Sequence, residues 1–213
     1  MKYLAFLLVL IPTLVFASDT LQNKLENDKY IKKYFSSDEI AELAKIISFV
    51  DSCVLQENKY REIDKAYHYY LDSLFVDDNN DIVTFDEDKR NDFLDSIDKT
   101  VFSEIWIKDS IGRCIYTKDT IYDYLEDFIR FDLRINGKYI QLIRELGDSS
   151  EYFKAAYEQS QIIGGLSPIA EVGLIYYNHQ FDFNEVNVRL WAAILILMEE
   201  ETMEKKLERY FGK

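Results

Sequence analysis

Residues 181–211 read FDFNEVNVRLWAAILILMEEETMEKKLERYF, and the fold turns on what this stretch becomes. Asp182 suits a helix N-cap, and Glu185 stands three positions on. That is the capping-box spacing, in which each side chain satisfies a free backbone N–H of the first turn. Phe181 before the cap and Val186 after it are spaced as a hydrophobic staple. From Leu190 to Met198 no polar residue occurs. A helix that is apolar on every side must be covered on every side. The run is too short for a membrane span, which takes about 20 apolar residues, and Arg189 and Glu199 close it at both ends. The stretch is expected to form one long central helix. Its tail turns polar, with Glu201 and Lys205 paired at i,i+4.

Upstream, the same grammar predicts the helices that cover it. Leu21 to Phe35 is a charged amphipathic stretch. Ser36 and Glu39 form a capping box, with Phe35 and Ile40 as its staple. Behind it Ile40, Leu43, Ile47, Val50 and Val54 recur at three- and four-residue steps, one buried stripe. A third helix, from about Lys59 to Phe75, carries Tyr60, Ile63, Tyr67, Tyr70, Leu71 and Leu74. Thr84 and Glu87 open a fourth, with Leu94, Ile97, Val101 and Ile105 inward and Asp88, Asp92 and Asp95 on the wet face.

Residues 107–117 break the helical pattern at Gly112. IVTF (82–85) and CIYT (114–117) have strand-like composition and admit one minor β-hairpin. A fifth helix is expected after Thr117, with Ile121, Tyr124, Leu125, Phe128 and Phe131 inward, stopping at Asn136-Gly137. Gly147 and Gly164-Gly165 close two more, and Asp148 with Glu151 opens the helix between them. Ser167-Pro168 starts another, in which Gly173 marks a close crossing. The expected architecture is an all-α, irregular multi-helix bundle of about eight helices around a buried C-terminal helix. With no repeat, linker or boundary signal, residues 18–213 read as a single domain.

Lys2, the run YLAFLLVLIPTLVFA and the small residue Ala17 form a secretory signal peptide over residues 1–17. The protein is therefore expected to be exported, periplasmic or secreted, with no membrane span after cleavage. The formal net charge of −14 argues against nucleic acid and anionic membranes and favours cations or a basic partner. In an oxidising compartment the two cysteines, Cys53 and Cys114, read as a disulfide. Such a bridge closes a loop of about 60 residues, nominally ~4 kcal/mol of chain entropy.

Three constellations could carry chemistry. Asp77, Asn79, Asp81 and Asp88 match positions one, three, five and twelve of a calcium loop, but Ile82 stands where that turn demands Gly. A solvated acidic loop is the competing reading. His68 lies between Asp64 and Asp72 at i±4 on one helical face, a row that could hold a metal or other ligand. Its plainer reading is a surface histidine beside helix-pairing acids. Last, 16 tyrosines and 39 acids could furnish an aromatic groove for a sugar or peptide, with Tyr67, Tyr69, Tyr70, Tyr176 and Tyr177 as clusters. Phosphate loops, H-E-x-x-H, G-x-S-x-G and metal-spaced cysteine pairs are all missing from the sequence. No cofactor follows from these residues, calcium being the one ion the acidic loop suggests. The expectation is an exported, soluble helical binding or interaction protein with no identified catalytic activity. Its partner would be a protein or small ligand of the cell envelope. The alternative is an acid/base hydrolase of glycosidase type, acting on envelope or host glycans with two carboxylates across a cleft.

Overall fold

Three- and four-residue periodicity becomes helix through most of the chain, and strands take over at residues 106–109, 113–116, 121–125 and 130–133. The computed structural model describes residues 21–56, 59–76, 87–109, 113–116, 120–125, 130–166, 168–199, 207 and 211. Helix α1 covers residues 21–27, and α2 is the single turn Ile31–Tyr34. Next come α3 (Ser37–Gln56), α4 (Ile63–Val76), α5 (Glu87–Ser96) and α6 (Lys99–Ile105). Four strands follow: β1 (Trp106–Asp109), β2 (Arg113–Tyr116), β3 (Ile121–Leu125) and β4 (Arg130–Leu133). The chain continues through α7 (Lys138–Leu146), α8 (Glu151–Ile163), α9 (Pro168–Tyr176), a 3-10 turn (Asn178–Gln180) and α10 (Val186–Met198). The protein is a multi-helix bundle with a small antiparallel β element.

The expected long helix is shorter than its pattern suggested. It begins at Val186, with Glu185 at the N-cap and no side-chain capping bond, and Glu199 turns extended at ψ 136° to end it. Asp182 does not cap the helix. It folds back on its own loop, accepting from the Asn184 backbone N–H at 2.9 Å, a local competitor of helix initiation. The apolar centre does behave as its composition requires: every residue from Arg189 to Met198 is buried. α10 packs directly on α3, whose predicted stripe Ile40, Leu43, Ile47, Val50 and Val54 is buried throughout. Truncating one of these, such as Leu190→Ala, would cost about 2–5 kcal/mol.

Local signals held in most places. Ser36 and Glu39 form the capping box, with Ser36 N donating to Glu39 Oε2 at 2.8 Å. Gly164 takes a left-handed φ of 83° to stop α8. A Cβ on Gly173 would stand 3.0 Å from Tyr152 Cε2, so that glycine does permit a close crossing. The Asp148–Glu151 box does not form, because Ser150 occupies the N-cap of α8 without a side-chain bond. The predicted fourth helix breaks at Ile97, where Asp98 takes over as cap for α6, accepting from Thr100 N at 2.8 Å and Val101 N at 3.2 Å.

The helix expected after Thr117 is instead strand. β1 pairs antiparallel with β4 (Trp106 opposite Leu133), and β2 with β3 (Tyr116 opposite Ile121), so the inner pair is nested within the outer in sequence. The reason is visible at β4, where Phe131 and Leu133 are buried and Asp132 between them is not. That is alternation of period two, which a helix cannot bury. Asp132 then accepts from the Leu166 N–H at 2.9 Å, fixing the turn between α8 and α9 against the ribbon. IVTF, residues 82–85, lies outside the described residues.

Candidate functional site

Aromatic residues from three distant parts of the chain meet where α8 and α10 begin. α7 stops at Gly147, and residues 148–150 turn the chain into α8, bringing Ser149, Ser150 and Tyr152 to one wall. After α9, the 3-10 turn and an extended Phe181 deliver Tyr177, Gln180 and Phe181 to the second wall. Tyr30, just before α2, closes one end. The result is an open groove of about 660 Å³, within the usual size of ligand sites.

Two of the groove's rings, Tyr152 and Phe181, are held rather than loose. The Tyr152 hydroxyl donates to the Ala170 carbonyl at 2.7 Å and accepts from Trp191 Nε1 at 3.0 Å. Burial pushes that phenol well above its ordinary range, against the Trp191 hydrogen bond. Its ring meets Phe181 edge-on at 4.8 Å. Phe181 is half-buried, whereas Tyr177 stays 56 % exposed. Three carboxylates border the rings. Asp182 is committed to its turn, Glu151 is 3.9 Å from Lys154, and Glu185 has no partner among the described residues. Tyr177 was visible in the sequence as part of a tyrosine pair. Tyr30, Tyr152 and Phe181 were not, because nothing local links residues so far apart in the chain.

The histidine row forms, but as a clamp. His68 Nδ1 is 3.0 Å from Asn178 Oδ1, so the amide oxygen assigns the ring's proton to Nδ1. The buried Asn178 also donates to Asp72 Oδ1 at 2.9 Å and to the Ile175 carbonyl at 2.8 Å. Asp64 accepts from the Phe183 N–H at 2.8 Å, while His68 Nε2 stays 3.6 Å away from it. His179 stacks on His68 with centroids 5.3 Å apart and reaches Asp72 at 3.2 Å. These contacts staple α4 to the 3-10 turn. Among the described residues, no group of three or more His, Cys, Asp or Glu side chains is placed to hold a metal ion. Asn178 escaped the sequence reading because a lone Asn carries no spacing signal.

Of the calcium-loop residues, Asp77, Asn79 and Asp81 lie outside the described residues, and Asp88 is exposed on α5. The structure does not support the expected disulfide: among the described residues Cys53 is a free, half-buried thiol on α3. Burial raises its pKa against a Ser52 hydrogen bond and the Lys89 charge, which suits an inert thiol rather than a nucleophile. Cys114 sits on β2, its side chain outside the described residues.

A second acid–aromatic cluster lies in the core. Tyr67 donates to Asp51 Oδ1 at 2.9 Å, and Arg189 Nε stands 3.8 Å from the same oxygen. Burial pushes the Asp51 carboxyl above the usual range, outweighing Arg189 and the Tyr67 bond. Among the described residues, no helix is long and apolar enough to cross a membrane. No protein-family model, curated protein or solved structure matches the chain. What fold and site define together is an irregular helical bundle with an open, aromatic-walled groove among its described residues.

Proposed function

We propose that this is an exported helical binding protein whose ligand, a protein segment or small molecule of the cell envelope, seats in the groove at the starts of α8 and α10. The reading of residues 1–17 as a leader supports export. The observation that carries the binding role is the groove: rigid rings and exposed polar groups face one open volume of about 660 Å³. Catalysis has less to stand on. A glycosidase needs a proton donor shielded from water, yet the Glu151 side chain is 93 % exposed. The carboxyl that is pushed up, Asp51, belongs to the core cluster and does not line the groove.

The test is an amide-resolved NMR titration of the full chain against capped peptides and a neutral chitin trisaccharide. Shifts should gather at Tyr30, at 149–153 and at 177–188. Tyr177→Ala should abolish them while changing stability by less than about 0.5 kcal/mol, as expected of a surface truncation. Shifts centred elsewhere, or none with any probe, would reject the groove as the binding place. Release of shortened glycan during the titration would restore the hydrolase reading.

A further inference from the structure

Resting on the groove as the binding place, we infer that its occupant is a basic peptide segment, with a lysine or arginine side chain laid across the rings. Charge complementarity selects this occupant. Glu151, Asp182 and Glu185 line the groove, and among the described residues no cationic side chain does. The N-termini of α8 and α10 open here, each adding roughly half a positive charge. Lys154 is set against Glu151 and Lys29 is held over the Tyr30 ring, which leaves Asp182 and Glu185 as the carboxylates facing an incoming charge. An anionic ligand would meet Asp182 and Glu185 at once, so the helix ends do not make an anion site.

The rings give the second, independent reason. Aromatic faces attract ammonium and guanidinium groups by about 0.5–2 kcal/mol each, most where water is excluded. The rim already does this with the chain's own side chain: Lys29 Nζ lies 4.4 Å from the centroid of the Tyr30 ring. Tyr177, more than half exposed, offers a ring to an incoming cation. A long apolar stem ending in a charge fits both features, because the stem packs on Phe181 and Tyr152 while the head meets Glu185 or Asp182. A peptide is favoured over a small amine by the scale of the field. The chain carries −14 overall, and a partner with several positive charges feels that whole field on approach.

The experiment compares four probes by fluorescence anisotropy and calorimetry on the full chain: a capped lysine–phenylalanine heptapeptide, its glutamine and glutamate counterparts, and the chitin trisaccharide. The lysine peptide should bind about tenfold tighter than the glutamine one, equivalent to ~1.4 kcal/mol. Raising salt should weaken it. The double variant Glu151→Gln/Glu185→Gln should remove most of that preference without altering the circular dichroism spectrum. If the glutamine peptide or the trisaccharide binds in the groove as well as the lysine peptide, the cationic occupant is wrong and the groove reading survives. If the double variant binds the lysine peptide undiminished, the contact is general surface charge, and the inference falls. If no probe binds, inference and groove reading fall together.

Discussion

Val188 and Arg189 are neighbours on α10, yet they serve two clusters made of the same materials. Val188 faces the groove, where Asp182 and Glu185 border Tyr152 and Tyr177 in contact with water. Arg189 turns into the core and meets Asp51 and Tyr67, with 8 % of its side chain exposed. In the core cluster the tyrosine hydroxyl bonds the carboxylate and the guanidinium stands beside it, Arg189 Nε lying 3.8 Å from Asp51 as an ion-pair neighbour with no hydrogen bond of its own. At the groove the rings are fixed from behind while their outer faces stay open. Buried acid–aromatic clusters are architecture, and open ones on a rigid backing are available to a ligand. Residue type alone does not separate the two; the direction in which the hydrogen bonds run does.

The largest test of that contrast is Asp51→Ala. It strands Arg189 in the core without its counter-charge and should lower unfolding free energy in urea by about 2–3 kcal/mol. A loss as small as that of Tyr177→Ala would erase the distinction between the clusters. Next is Asn178→Ala, which cuts His68, Asp72 and the Ile175 carbonyl loose together. A loss of about 1–2 kcal/mol is expected, with ligand binding intact. A variant that keeps its stability but loses binding would make the histidine clamp part of the site.

The finest test is in pH. Burial holds the folded Asp51 carboxyl above its unfolded value, so its contribution to folding is fully present below the ordinary Asp range, ~4, and is lost as pH rises through the folded pKa. The stability of wild type relative to Asp51→Asn should therefore fall as pH rises above the ordinary Asp range. A difference that stays flat with pH would mean that the surroundings of Asp51 do not penalise its charge.

How much of this could be read in advance depends on the distance over which a signal acts. The buried stripe of α3, the stop at Gly164, the Ser36–Glu39 box and the crossing at Gly173 are each encoded within a few residues, and each formed. The segment after Thr117 misled because Ile121, Leu125 and Phe131 satisfy a helical spacing as well as a strand alternation. Pairing of β3 with β2 just before it, and of β4 with the more distant β1, decides between them. Asp182 misled in a different way, since a good cap is also a good turn former. The histidine row was placed correctly on one face, but its meaning depends on Asn178, more than a hundred residues away. The groove was the least legible of all, being a junction of three remote segments.

The burial of α10 also has a consequence in time. Its partner α3 lies about 140 residues earlier, as the Asp51–Arg189 contact measures, so this seam of the core closes through a pairing of high contact order. Until α10 has emerged and docked, the face of α3 that it covers stays open, although α2, α4 and α6 already pack on that helix. Chains interrupted before residue 186 should therefore be sticky, collapsed species rather than smaller folded ones. The α3–α10 seam is therefore the last part of the core that synthesis can complete.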